Sequence, residues 1–291
     1  MGIRFRWLGF VCYEIVLPSG KVLVTDPYIN YSPTAPVECE DVTGADYIAI
    51  THGHFDHCSD VGYLAKKFNS IIICSQKIVE PLTKFFDLNP AKVKGVTPGS
   101  DLTFDDLKVE IRKAQHVDIE GLTSEAYEAY EAQSGQSLPA GIPFHKLLDI
   151  FEGLSPRPDR SPAIAEMRNK MFSAGIREGE TFNYIFQTSD NMRLYLFSSS
   201  HLANMRQQII DAHPNVSLVQ LSGLEPVEAA QIAALSGAEL VIPTHHDGKW
   251  LGKMQQRAQE MAKHLATMSR AKFLNIDLGK WYEIGVNISG V

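Results

Sequence analysis

The chain has 291 residues, 44% hydrophobic and 21% charged, with a net charge of −7. A chain of that length buries roughly three quarters of its unfolded surface without disulfide staples, and its composition is that of a globular protein rather than a disordered or fibrous one. The acidic balance excludes a broad nucleic-acid-binding face, and no apolar run of about 18 residues is present to cross a membrane.

Ile3, Phe5 and Trp7 alternate with Arg4 and Arg6, the period of a half-buried strand. A second strand over 21–25 runs into Asp26 and Pro27, and a short apolar strand over 45–51 delivers His52 at its end. Ser59 is placed to cap a helix whose Val61, Leu64, Ala65 and Phe68 share one face. A strand over 70–74, an amphipathic helix through Ile78, Leu82 and Phe86, and further β material lead to His116. Residues from about 118 to 181 differ: helices are expected over 123–134, 144–151 and 162–172, with Gly and Pro between them. Strands return at 183–188 and 193–197, and helices and strands then alternate to Ile242. A long helix over 250–270 and strands near 273–276 and 281–286 close the chain. The plan is a single α/β domain over 1–291 with a helical insertion at about 118–181.

Cys12, Cys39, Cys58 and Cys74 form no metal-binding pair and read as buried, reduced thiols. The opening residues lack the apolar core of a secretory signal, and Arg6 breaks the myristoylation pattern. The expected setting is therefore the cytoplasm, with a small-molecule substrate, no nucleic acid and no membrane as partner, and a homo-oligomer left open.

The chemistry concentrates at Thr51-His52-Gly53-His54-Phe55-Asp56-His57, where four potential ligands fall within six residues between a strand and a helix. Neutral imidazoles and a carboxylate suit a borderline-soft divalent metal. A tight loop turns His52 and His54 to one side and Asp56 and His57 to the other, a spacing better suited to two neighbouring ions than to one.

On these residues the sequence resembles the metallo-β-lactamase superfamily. Trp7-Leu8-Gly9 and Val24-Thr25-Asp26-Pro27 are similar to the opening of its lactonase-like branch, related to ascorbate-6-phosphate lactonases. Pro98-Gly99-Ser100-Asp101, Ala114-Gln115-His116, Ser222-Gly223-Leu224 and Ile242-Pro243-Thr244-His245 resemble its later segments. The resemblance covers roughly 1–117 and 182–286 and implies a four-layer αββα sandwich. It also implies that His52, His54 and His116 bind one metal and Asp56, His57 and His245 a second, with Asp26 steadying a ligand imidazole. A one-residue slip at the end would exchange His245 for His246; His245 is the favoured ligand.

Two positions depart from the pattern. Phe10 stands where the branch usually carries a histidine, and Ser199 where the bridging aspartate is expected. A serine hydroxyl is a poor substitute for a carboxylate shared by two dications, which leaves Ser199 or His201 as substitutes and the second site weaker. The implied activity is hydrolysis of a lactone, phosphoester or amide by a hydroxide held on one or two zinc ions, with manganese or iron as other occupants. Asp56 would both ligate and orient that nucleophile. An iron-dependent redox enzyme and a non-catalytic metal-binding member are the alternatives. The insertion is expected to cover the site and set substrate choice.

Overall fold

In a computed structural model of the chain, residues 2–116, 161–199, 202, 205–247 and 254–285 are described. Alternation makes β1 (Gly2–Gly9) a strand whose Ile3, Phe5 and Trp7 face inward. Arg6, on the opposite face, is buried as well, because its guanidinium meets the buried Glu14 carboxylate at 2.7 Å. Glu14 lies in β2 (Cys12–Val16), which pairs antiparallel with β1 and with β3 (Val22–Thr25). β4 (Tyr47–Ala49), β5 (Ile71–Ser75) and β6 (Val93–Val96) then add in parallel. With β14 (Trp281–Gly285) on the far side of β1, the first sheet runs β14-β1-β2-β3-β4-β5-β6.

The second sheet is its counterpart. β7 (Asp101–Thr103), β8 (Leu107–Lys113), β9 (Phe182–Thr188) and β10 (Arg193–Phe197) pair antiparallel. β11 (Val216–Gln220), β12 (Leu240–Thr244) and β13 (Lys272–Phe273) continue in parallel, giving the order β13-β12-β11-β10-β9-β8-β7.

The central core lies between the sheets. It joins Ile3, Phe5, Tyr13, Ile15 and Leu23 of the first to Val109, Ile111, Tyr184, Leu196 and Leu218 of the second. Burial of that apolar area, at about 25 cal/mol per Å², is the main stabilising term. Helices α1 (Phe55–Cys58), α2 (Val61–Phe68), α3 (Val79–Phe86) and α4 (Ser161–Ser173) flank the first sheet. Leu64, Leu82 and Met171 pack there on Val24, Ile48 and Ile72. On the outer face of the second sheet, α5 (Arg206–Ile210), α6 (Pro226–Ser236) and α7 (Met254–Met268) cover Tyr195, Phe197 and Val241 through Ile209, Ile232 and Met261. The result is the expected α/β sandwich of two sheets between helical layers. Among the described residues no helix is long and apolar enough to cross a membrane.

Ser59 does not cap α2 as expected. It closes α1, its N–H bonded to Phe55 O at 3.0 Å, while Asp60 takes the N-cap position of α2 without a side-chain bond. The expected helices over 123–134 and 144–151 lie outside the described residues. The third corresponds to α4, whose Ile164 and Met171 are fully buried. Its apolar face is thus part of the layer on the first sheet.

Candidate metal centre

Parallel pairing sets the C-terminal ends of β3 and β4 side by side, and the chain leaves both at the same edge. Asp26 follows β3 with φ +37°, in the left-handed region that Asp tolerates better than most residues. Its N–H donates to Ala49 O at 2.9 Å, which holds it against the end of β4. Across the core, the Tyr184 hydroxyl donates to Ile50 O at 2.7 Å and fixes the same strand end from the second sheet.

The buried Asp26 carboxylate accepts from Thr51 N at 2.6 Å, Thr51 Oγ1 at 2.7 Å and His57 Nδ1 at 2.8 Å. His57 therefore carries its proton on Nδ1 and leaves Nε2 free to ligate. Because the Thr51 hydroxyl is spent on Asp26, it can only accept from His52 Nδ1, 3.0 Å away. That assigns the His52 proton to Nδ1 as well and bares Nε2. One carboxylate thus sets the tautomer of two histidines, directly and through a threonine. Thr51 escapes a reading that looks only for ligand-type side chains, although a hydroxyl beside the first histidine is a visible signal.

The bared His52 Nε2 lies 3.1 Å from His116 Nε2 and 3.2 Å from His54 Nδ1. His52, His54 and His116 gather their donor atoms within 4.8 Å of one another, and Asp56, His57 and His245 form a second such group. The two groups abut, since the His52 and His57 ring centroids are 3.9 Å apart. His116 stands beyond the end of β8 and His245 directly after β12. Each group therefore combines the loop after β4 with a strand end of the opposite sheet.

The electrostatics favour neutral donors. Burial, with the neighbouring rings of His57, His54 and His116, pushes His52 well below the usual imidazole value. Burial and His116 bring His54 to about 4, and burial and His57 bring His245 to about 4. Burial would raise Asp56, but His57, His54 and His245 outweigh it and hold the carboxyl below its ordinary value. His57 moves upward: burial opposes its protonation, and Asp56 and Asp26 prevail. Among the described residues the buried His245 Nδ1 has no hydrogen-bond partner. Converging neutral nitrogens beside a carboxylate, one of them orphaned, fit a cation far better than they fit one another.

Three expectations meet specific geometry here. Asp56 and His57 sit on the single turn of α1 rather than in an open loop. His246 stacks on Trp7 at 4.7 Å and bonds Asn275 Oδ1 at 2.8 Å, away from the second group. The Ser199 hydroxyl accepts from Gln115 N at 2.9 Å and donates to Gln115 O at 3.1 Å, so it holds the strand exit that leads to His116. His201 lies outside the described residues.

The chain that returns from α4 braces the ligand loop. Gly53 N donates to Glu178 O at 2.8 Å, Phe182 N to Thr51 O at 2.9 Å, and Ala114 N to Thr181 O at 2.9 Å. A Cβ on Gly53 would lie 2.0 Å from Arg177 O, so a glycine is required between His52 and His54. Arg168 of α4 places its guanidinium 5.5 Å from the Phe55 ring, beside Asp56.

Comparison with known proteins agrees with this geometry. A family model described as a beta-lactamase superfamily domain matches residues 22–133. A UPF0173 metal-dependent hydrolase of Archaeoglobus fulgidus is 31% identical over 142 residues, 48% of this chain and 54% of the relative. A second, from Solibacter usitatus, is 34% identical over 114 residues, 39% of this chain and 48% of the relative. The chain spans about half, or less, of the length of the curated relatives it matches. Among solved structures, a metallo hydrolase of the archaeon Ignicoccus hospitalis superposes with a TM-score of 0.66 at 15% identity, over 99% of this chain and 100% of that one. Two facing sheets between helical layers and the superposition on a metallo hydrolase give the chain the metallo-β-lactamase fold, and its residues 22–133 are similar to a beta-lactamase superfamily domain.

Proposed function

We propose that the protein is a metal-dependent hydrolase of a small molecule. In this reading His52, His54 and His116 hold one divalent ion and Asp56, His57 and His245 a second. The observation that carries it is the pair of abutting groups, six side chains whose donor atoms converge within 4.8 Å in each group. Imidazole-rich sets of this kind suit zinc. The matched relatives are named metal-dependent hydrolases, which supports the reaction class. A lactone or phosphoester is the preferred substrate class, and an amide is the next.

When bound, such ions supply Lewis acidity and bring the pKa of water towards neutrality. The remaining tasks fall to the chain. Asp56, with a quarter of its side chain exposed, faces the entering water and accepts a hydrogen bond from it while staying ionised. Asp26 and Thr51 keep the ring protons of His57 and His52 turned away from the reacting centre. No side-chain nucleophile is needed. The Cys58 thiol donates to His54 O at 3.1 Å, and burial raises its pKa well above the ordinary value.

Elemental analysis of chelator-free protein, with rates on a panel of lactones, phosphoesters and amides, tests the proposal. Zinc at one ion per chain or more, with hydrolysis lost in a His52→Ala/His54→Ala variant, is the expected result. A full metal complement with no hydrolysis across the panel would overturn it.

A further inference from the structure

His245 and Phe10 are both left-handed, at φ +57° and +49°. Bulky residues rarely adopt that region, which is strained unless the surroundings enforce it. Here the two enforce each other. Phe10 lies in the turn between β1 and β2, in the first sheet, and His245 at the exit of β12, in the second. The Phe10 carbonyl accepts from His245 N at 2.9 Å, Thr244 Oγ1 at 2.7 Å and Trp7 Nε1 at 2.9 Å. In return Phe10 N donates to Asp247 Oδ1 at 3.0 Å, and the Thr34 hydroxyl donates to Asp247 Oδ2. The Phe10 ring closes edge-on against the His245 imidazole, with centroids 4.8 Å apart. The hinge of the turn is tight: Gly9 has φ +111°, and a Cβ on it would lie 3.0 Å from Asp247 Oδ2.

We infer that Asp247 is a positioning residue for His245: by clasping the Gly9–Phe10 turn, it aims the imidazole at Asp56 and His57. No hydrogen bond to Nδ1 orients the ring among the described residues, so its backbone and the Phe10 ring edge set its direction. His52 and His57 are steadied through their ring nitrogens, whereas His245 is steadied through its backbone. None of the clasp's hydrogen bonds involves His52, His54 or His116, so its loss is expected to act on the group that holds His245.

The inference rests on the two ligand groups proposed above, and the test separates the two readings. Chelator-treated full-length protein is titrated calorimetrically with zinc, and the event abolished by His245→Ala is taken as the second site. Asp247→Ala is expected to weaken that event by about tenfold or more, the usual range for losing a support behind a ligand. The other event should stay unchanged. Asp247→Asn keeps an acceptor for Phe10 N and is expected to retain most of the affinity. Equal weakening of both events, no weakening of either, or equal loss in the Ala and Asn variants would overturn the inference. If Asp247→Ala does not fold, Thr34→Val, which removes one donor to the carboxylate, should weaken the same event a few-fold; an unchanged event overturns the inference. A parent protein in which His245→Ala abolishes no event refutes the ligand assignment itself, and the inference with it.

Discussion

Asp26 and Thr51 show how little separates a ligand from its support. Thr51→Val keeps the shape of the side chain and removes the hydroxyl that receives the His52 ring proton. It is expected to lower metal affinity at the His52 group about 10- to 100-fold. Asp26→Ala should weaken both groups, because the carboxylate serves His57 as well. Competition against a chromophoric chelator measures both effects. The histidines also set the acid response of the metal-free protein. His54, His245 and His246 are held at about 4 in the folded state, chiefly by burial, whereas in the unfolded chain they take up protons near 6.5. Between those values the unfolded state binds more protons, so stability falls as pH falls from about 6.5 to 4. His52 shifts the same way, while His57 and the carboxyls of Asp60 and Asp247, all shifted upward, act in the opposite sense, three groups against four. Urea melts of chelated protein should therefore show a lower midpoint at pH 5 than at pH 7.

At the scale of elements, the segment after α4 and the ligand loop form one unit, joined through Gly53 N and Glu178 O. Gly53→Ala drives a methyl group into the Arg177 carbonyl. We expect it to cost about 1–3 kcal/mol, as overpacking does, and to lower metal content, read by thermal melting and elemental analysis. Strands with one buried face, such as β1, and helices with one apolar stripe, such as α2 and α3, were legible in the sequence because their periodicity is local. β2 was not, because Cys12, Tyr13, Glu14 and Ile15 are all buried and give no alternation; Glu14 is admitted inside only through Arg6. α1 is a single turn, too short for any period to show. The ligand motif was legible because its residues are adjacent in sequence. The Phe10–Asp247 clasp was not, since its partners lie 237 positions apart and hold a strained backbone that no residue type announces.

On the scale of the whole molecule, each ligand group takes side chains from both sheets: His52 and His54 follow β4 and His116 follows β8, while Asp56 and His57 face His245 after β12. Ions bound there would therefore fasten the two halves together. At a thousandfold excess over Kd one ion contributes about 4 kcal/mol, and at roughly 2–4 °C per kcal/mol removal of two should lower Tm by roughly 16–33 °C. Differential scanning calorimetry before and after chelation measures this. The same straddling makes the sandwich a gauge. The gap between His52 and His116 follows the thickness of the filling between the sheets, including Ala49 and Ile111 near the strand exits. A side chain enlarged there would pry the halves apart and retune which ion radius the centre accepts, without touching a single ligand.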